Sequence, residues 1–336
     1  MPLQVDKTFV ALLLLALPLV FFAQDKPDRP PWAQPGGSQQ SKPADPTAKA
    51  PDKSSESSSP RGTVKINVNL VNVLVSVLDE HNRPAPDLPV EAFQVYEEGV
   101  QQKIDVFESE TKWPLDIALM IDASMSAHKE IAFEQDAAAH FIQQVLRPDD
   151  RLSLFAFDEN VTQLVAYSAD VRSLQGGIHK IVDGAGTSIY DALFFGSKSL
   201  EKRPNDRRRV IVMVTDAGET TSRYDFETAR KATLHAGLLL YTIVVRPVKN
   251  ENGRNTAGEH ALQTITETTG GAMFFPDSAQ ELPMIFDRIN NELRTQYRLA
   301  YYPNPHGPAN TYRTIEVKVL PGYTARHRTT YLTGPQ

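Results

Sequence analysis

From Asp116 onward, short runs of uninterrupted apolar residues alternate with segments of helical period. The apolar runs are DIALMI (116–121), RLSLFAF (151–157), RRVIVMVTD (208–216) and LLLYTIVV (238–245). Between them lie amphipathic stretches such as AHKEIAFEQDAAAHFIQQVL (127–146), SIYDALFFGSKSLEK (188–202) and YDFETARKATLHAG (224–237). A strand that is apolar on both sides needs cover on both sides, and helical crossovers make neighbouring strands parallel. The pattern therefore predicts an α/β fold over about 112–297, with a doubly wound, mostly parallel sheet. VTQLVAYS (161–168), half polar, is expected at its edge.

The flanks follow another rule. TVKINVNLVNVLVSVLDE (63–80) alternates with period two, and FQVYEEGVQQKIDVFE (93–108) reads as two strands joined at the EEG turn. Residues 63–111 thus form an antiparallel unit, small for a domain on its own. The end of the chain, 298–336, returns to strands: YRLAYYP, RTIEVKVL and RHRTTYL. Each set is too small to stand alone, so the two are expected to pair into one β-sandwich flanking the α/β domain. The alternative is that each packs separately on that domain.

Lys7 followed by the apolar run Phe9–Phe22 and by Ala23 predicts an export signal over 1–23. That run is shorter than the roughly 20 residues of a membrane span; an uncleaved anchor is the alternative. Residues 24–62, rich in Pro, Ser and Gln, predict a disordered spacer. The chain has no cysteine, which excludes disulfides and thiolate catalysis. A net charge of −6 with no basic aromatic stripe argues against nucleic acid. Secretion or residence in a periplasm or cell envelope follows, with no membrane span beyond the leader.

Ligands of an open α/β sheet bind at the carboxyl ends of its strands. Three segments are expected there: Asp122, Ser124 and Ser126 after the first strand; the loop DGAGTSIYDAL with Thr187; and VIVMVTDAGE with Asp216. Two carboxylates and three hydroxyls form an all-oxygen donor set, the kind a hard divalent cation takes while keeping some of its waters. Each segment alone has an ordinary reading. Ser126 and Thr187 could cap helices, and Asp216 could be a strand-end turn residue.

In order and wording these segments resemble the von Willebrand factor A domain and its metal-ion-dependent adhesion site, as in integrin I domains. The D-x-S-x-S element stands here as DASMS, the Thr loop as GAGTSIYDAL and the Asp turn as VTDAG, with Ala217 where Gly is usual. The resemblance implies Ser124, Ser126 and Thr187 as direct ligands, and Asp122 and Asp216 as ligands directly or through water. The cofactor it implies is Mg²⁺, with Mn²⁺ or Ca²⁺ as alternatives. The partner it implies is a protein that offers an acidic residue to the open coordination position. The flanks VLDEHNRPAPDL and QYRLAYYP are similar to those of exported bacterial proteins abundant in Acidobacteria.

No catalytic residue is expected. A phosphatase built on Asp122 would need a carboxylate two residues later, where Ser124 stands. A serine hydrolase would need glycines around Ser124. A metal-free structural module of the envelope remains the main rival reading. His128 is expected at the surface, RPNDRRR (203–209) as a solvated basic loop, and KNENGRNTAGEH (249–260) as a polar loop.

Overall fold

The computed structural model describes residues 70–109, 112–124, 131–182, 184–245 and 255–333, without the side chains of 131–134. The leader and spacer expected over 1–23 and 24–62 lie outside these residues, as do Ser126, His128 and part of the 249–260 loop.

Strand β1 (Val71–Leu78) carries valines at alternate positions, and the odd face of Val71, Val73, Val75 and Val77 is buried. β2 (Gln94–Glu97) and β3 (Val100–Gln102) form the hairpin read from EEG. Its turn puts Glu98 and Gly99 at φ 50° and 77°, the double left-handed conformation whose twist suits a tight hairpin. β4 (Val106–Glu108) follows.

The chain then enters the α/β region. Its elements are β5 (Leu115–Asp122), α1 (Ile131–Val145), β6 (Arg151–Phe157), β7 (Val161–Ser168), α2 (Val171–Ile178) and α3 (Ile189–Glu201). After these come β8 (Arg208–Thr215), α4 (Phe226–Ala236), β9 (Leu239–Val244), α5 (Thr256–Thr269), β10 (Ala272–Phe274) and α6 (Leu282–Arg294). The strand order is β10-β9-β8-β5-β6-β7, parallel throughout except for β7, the antiparallel edge.

All eight residues of β5 are buried, because helices cover both of its faces. Ile117, Leu119 and Ile121 face a core completed by Phe141, Leu174 and Phe286, with the last helix's Phe286 ring stacked on Phe141 at 4.6 Å. Ala118 and Met120 face the opposite core with Leu193, Ala229 and Leu262. Alternation within a fully apolar strand thus serves two cores at once.

β11 (Tyr297–Tyr301), β12 (Tyr312–Lys318), β13 (Thr324–His327) and β14 (Thr330–Leu332) complete the chain. They combine with β1–β4 in two four-stranded sheets, β13-β1-β11-β4 and β14-β12-β2-β3. Val73, Val75, Phe93, Tyr297, Leu299, Ile315 and Val317 share one apolar cluster between them. The fold is therefore the expected α/β sheet with a flanking antiparallel sandwich built from both ends of the chain.

Two local readings need correction. RHRTTYL is two strands rather than one: the Thr329 N–H donates to the Thr268 carbonyl of α5 and its carbonyl accepts from Ile315, so the chain steps from one sheet to the other there. The basic run 203–209 is solvated only in part: Pro204, Asn205 and Asp206 are exposed, but its arginines are drawn in. Asp116, fully buried, takes Arg203 Nε at 2.7 Å and Arg207 Nε at 2.8 Å. Arg208 is buried as well, and donates to the carbonyls of Trp113 and Leu293. The sandwich adjoins this end of the sheet, where Leu74 of β1 packs on the helical core and Gln296 donates to Ser76 Oγ at 3.1 Å; the arginines are drawn in by partners far from them in sequence.

Candidate metal centre

From β5 the chain builds β6 on one side and later β8 on the other, so the strand order reverses between β5 and β8. A crevice opens at such a switch point, at the carboxyl ends of the strands. Asp122 is the last residue of β5, and Thr215 is the last of β8.

Asp122 is 2 % exposed. Its Oδ1 accepts the Ser124 N–H at 3.1 Å and the Ser124 hydroxyl at 2.6 Å. Ser124 Oγ also lies 2.8 Å from Thr187 Oγ1. Three residues from two distant loops thus meet through their oxygens. Asp122 Oδ2 accepts the Thr215 hydroxyl at 2.7 Å. Asp216 follows β8, half-buried, and its Oδ1 accepts the Gly218 N–H at 2.8 Å.

The Thr187 loop is held by the Asp216 segment. Thr187 donates its N–H to Thr220 Oγ1 at 2.8 Å, and its carbonyl accepts the N–H groups of Thr220 and Thr221. Gly186, at φ 73°, makes the approach: a Cβ there would stand 2.8 Å from Thr221 Cγ2. Ala217, where Gly is usual in the pattern, adopts φ 65° and is fully buried. The alanine therefore takes the left-handed turn a glycine would take, and the turn is retained.

Burial pushes the Asp122 carboxyl up to about 6, against the pull of the Ser124 and Thr215 hydrogen bonds, and the nearby Asp216 charge adds to the rise. Among the described residues no Lys or Arg pairs with Asp122. A buried carboxylate beside a second one, with hydroxyl oxygens in contact and no basic partner, fits a cation as its counter-charge. The donors are all oxygen, which suits Mg²⁺, Mn²⁺ or Ca²⁺ better than a soft metal. No group of three or more His, Cys, Asp or Glu that could hold a metal occurs among the described residues, so this mixed set of carboxylates and hydroxyls is the arrangement to test.

The structure brings Asp122, Ser124 and Thr187 into direct contact and Asp216 within electrostatic reach; Ser126 lies outside the described residues. The capping alternative for Thr187 is not what is observed. Glu219 Oε2 accepts the Ile189 N–H at 2.8 Å, and Ser222 Oγ accepts the Tyr190 N–H at 3.0 Å, so the first turn of α3 is capped from across the crevice. Sequence reasoning missed Thr215, Glu219 and Thr220. Thr215 was detectable as the polar end of an apolar strand, whereas nothing local marks Glu219 as a cap for a helix thirty residues earlier.

An open sheet with oxygen donors gathered at its switch point defines a class of α/β binding folds. Residues 117–219 match the family model of the von Willebrand factor type A domain. Among solved structures the chain is similar to a von Willebrand factor type A protein from Catenulispora acidiphila, at 10 % identity over 81 % of this chain and 76 % of that one, with a TM-score of 0.48. It is also similar to the vWF domain of the type V pili tip protein Mfa5 from Porphyromonas gingivalis, at 12 % identity over 54 % and 95 %, TM-score 0.42. A third is proximal thread matrix protein 1 from the mussel byssus with a zinc-occupied MIDAS motif, at 16 % identity over 55 % and 49 %, TM-score 0.45. No curated protein matches the chain.

Proposed function

We propose that this chain is an exported, non-enzymatic adhesion module. It holds a divalent cation, Mg²⁺ in the first instance, through Asp122, Ser124, Ser126, Thr187 and Asp216. The cation supplies an incompletely neutralised positive charge that favours a carboxylate from a protein partner. The chain's own residues do the rest. Asp122 and Asp216 provide the negative charge that retains the ion, while Ser124 and Thr187 offer neutral oxygens and leave it electrophilic.

The observation that carries this reading is the convergence of Ser124 Oγ on both Asp122 Oδ1 and Thr187 Oγ1, at 2.6 and 2.8 Å. Against catalysis stands Ser124 itself, which occupies the position where a phosphatase needs its proton carrier. The proposed layout is a cleaved leader over 1–23, a spacer over 24–62 and an inserted von Willebrand factor type A domain over 112–297, as in the exported bacterial proteins named above. Among the described residues no helix is long and apolar enough to cross a membrane.

One observation favours the metal-free scaffold instead: the Ser124 and Thr215 hydroxyls already satisfy both oxygens of Asp122. Thermal unfolding of the full chain with Mg²⁺, Mn²⁺ or EDTA separates the two. A cation-dependent rise in Tm that disappears in Asp122→Ala supports the adhesion reading. Equal Tm values under all conditions would leave the scaffold. Capture of envelope proteins with Mg²⁺ and with chelator in parallel then tests the acidic partner.

A further inference from the structure

At the other end of the central sheet, beneath the amino ends of β8 and β9, a half-open cavity of about 260 Å³ separates the α/β domain from the sandwich. Five arginines line it, Arg207, Arg208, Arg209, Arg298 and Arg328, with His235 at its rim. No Asp or Glu is among its lining residues. Such a concentration of one charge in a partly enclosed space requires a counter-charge from somewhere.

Two of the five have one. Arg207 pairs with Asp116 at 2.8 Å, and Arg298 pairs with Glu108 at 2.7 Å. The other three make no ion pair among the described residues. Arg208 donates to the carbonyls of Trp113 and Leu293 and to the Gln296 amide oxygen. Arg209 donates to the carbonyls of Ala236, Glu201 and Arg203 and to Asn205 Oδ1. Arg328 donates to the Asn72 carbonyl and lies over the Tyr331 ring.

The Nε groups of Arg209 and Arg328 are buried and have no hydrogen-bond partner among the described residues. A buried donor without an acceptor costs about 1–3 kcal/mol, more when it is charged. Burial also pulls Arg208 down to about 10 and holds Arg209 and Arg328 below the ordinary arginine value. An anion in the cavity would favour the charged form of all three through space, without reaching the two buried Nε groups.

We propose that this cavity is a binding site for a small phosphate-type oxyanion, either inorganic phosphate or a phosphate monoester. Asp150 acts on Arg208, and Glu201 and Asp116 on Arg209, only through space, so three guanidinium groups with no acidic side chain in hydrogen-bond contact line the cavity. A phosphate dianion offers several acceptor oxygens, and guanidinium forks match them geometrically. The volume exceeds that of a phosphate group, so it admits the headgroup with ordered water or with the remainder of a monoester. The site is independent of the cation centre, which lies at the carboxyl ends of the same strands.

Isothermal titration of the full chain in EDTA, at low and constant ionic strength, tests this with three probes: inorganic phosphate, glycerol phosphate and chloride. Phosphate is expected to bind with a dissociation constant at or below about 1 mM. Glycerol phosphate binding equally well would assign the monoester, and its failure would assign the free ion. Chloride should give no saturable heat.

Asn205→Asp places a carboxylate beside Arg209 in a nearly isosteric side chain, and should weaken phosphate at least tenfold with no loss of Tm. Arg328→Gln should weaken it similarly. If that variant proves unstable, Asn205→Asp alone decides the matter. Absence of saturable binding to the native chain, chloride matching phosphate, or full affinity in Asn205→Asp would each overturn the proposal.

Discussion

The Thr215 hydroxyl donates to Asp122 Oδ2 at 2.7 Å, and the hydroxyl oxygen itself accepts the Ala217 N–H at 3.1 Å. One fully buried side chain therefore ties the ends of the two central strands to each other and to the turn that carries Asp216. Thr215→Val keeps the shape and removes both bonds. It should cost about 2 kcal/mol, because a carboxylate oxygen and an amide are left buried and unpaired. Urea unfolding should show a lower midpoint with an unchanged m-value.

Ala217 sits at φ 65° in the core. Left-handed geometry costs an alanine roughly 1–2 kcal/mol, while its buried methyl returns about 0.8 kcal/mol. Ala217→Gly is thus expected to change stability by no more than about 1 kcal/mol. Ala217→Val, β-branched in the same conformation, should lose more than about 2 kcal/mol. Calorimetric Tm values for the pair check the ordering.

Asp116 is fully buried between Arg203 and Arg207. Asp116→Asn leaves two guanidinium groups facing a neutral amide. Removing one member of a buried ionic cluster costs about 3–5 kcal/mol, and the partial exposure of Arg203 favours the lower end. Denaturant unfolding of the full chain measures the loss.

His327 Nε2 accepts the Val317 N–H at 3.0 Å, and Nδ1 lies 2.8 Å from the Arg328 carbonyl. That pairing needs the neutral ring protonated at Nδ1. Burial holds its pKa below the ordinary histidine value. The unfolded chain therefore binds the proton more readily, so stability rises with pH and is lost as pH falls from the ordinary value of about 6.5 toward the folded one. The pH dependence of Tm should flatten in this window in His327→Gln, relative to the native chain.

The α/β sheet was legible because its signal is local. Ile117 to Ile121 is apolar at every position, and only a strand covered on both faces tolerates that. Asp122, Ser124 and Asp216 could be placed at the crest because strand ends are visible in the chain, whereas Thr187, between two helices, was placed by the glycines of its loop. What escaped depends on distant cover. The environment of Arg203–Arg209 is set by Trp113 and Asp116, about ninety residues before it, and by Leu293 and Gln296, about ninety after it, and no periodicity within RPNDRRR records that. The break at Arg328–Thr329 escaped for the same reason, since it follows from a bond to Thr268 rather than from any turn residue.

β4 and β11 leave and re-enter the sandwich as hydrogen-bonded neighbours, with Glu108 opposite Arg298, and β1 lies on the other side of β11. Tension drawn along the polypeptide from residue 70 to residue 333 is therefore short-circuited across those pairings before it reaches the inserted sheet. The sandwich acts as a mechanical clasp. Until its strands part, Asp122 and Thr187 are shielded from stretching, and the crest keeps its shape under a pull.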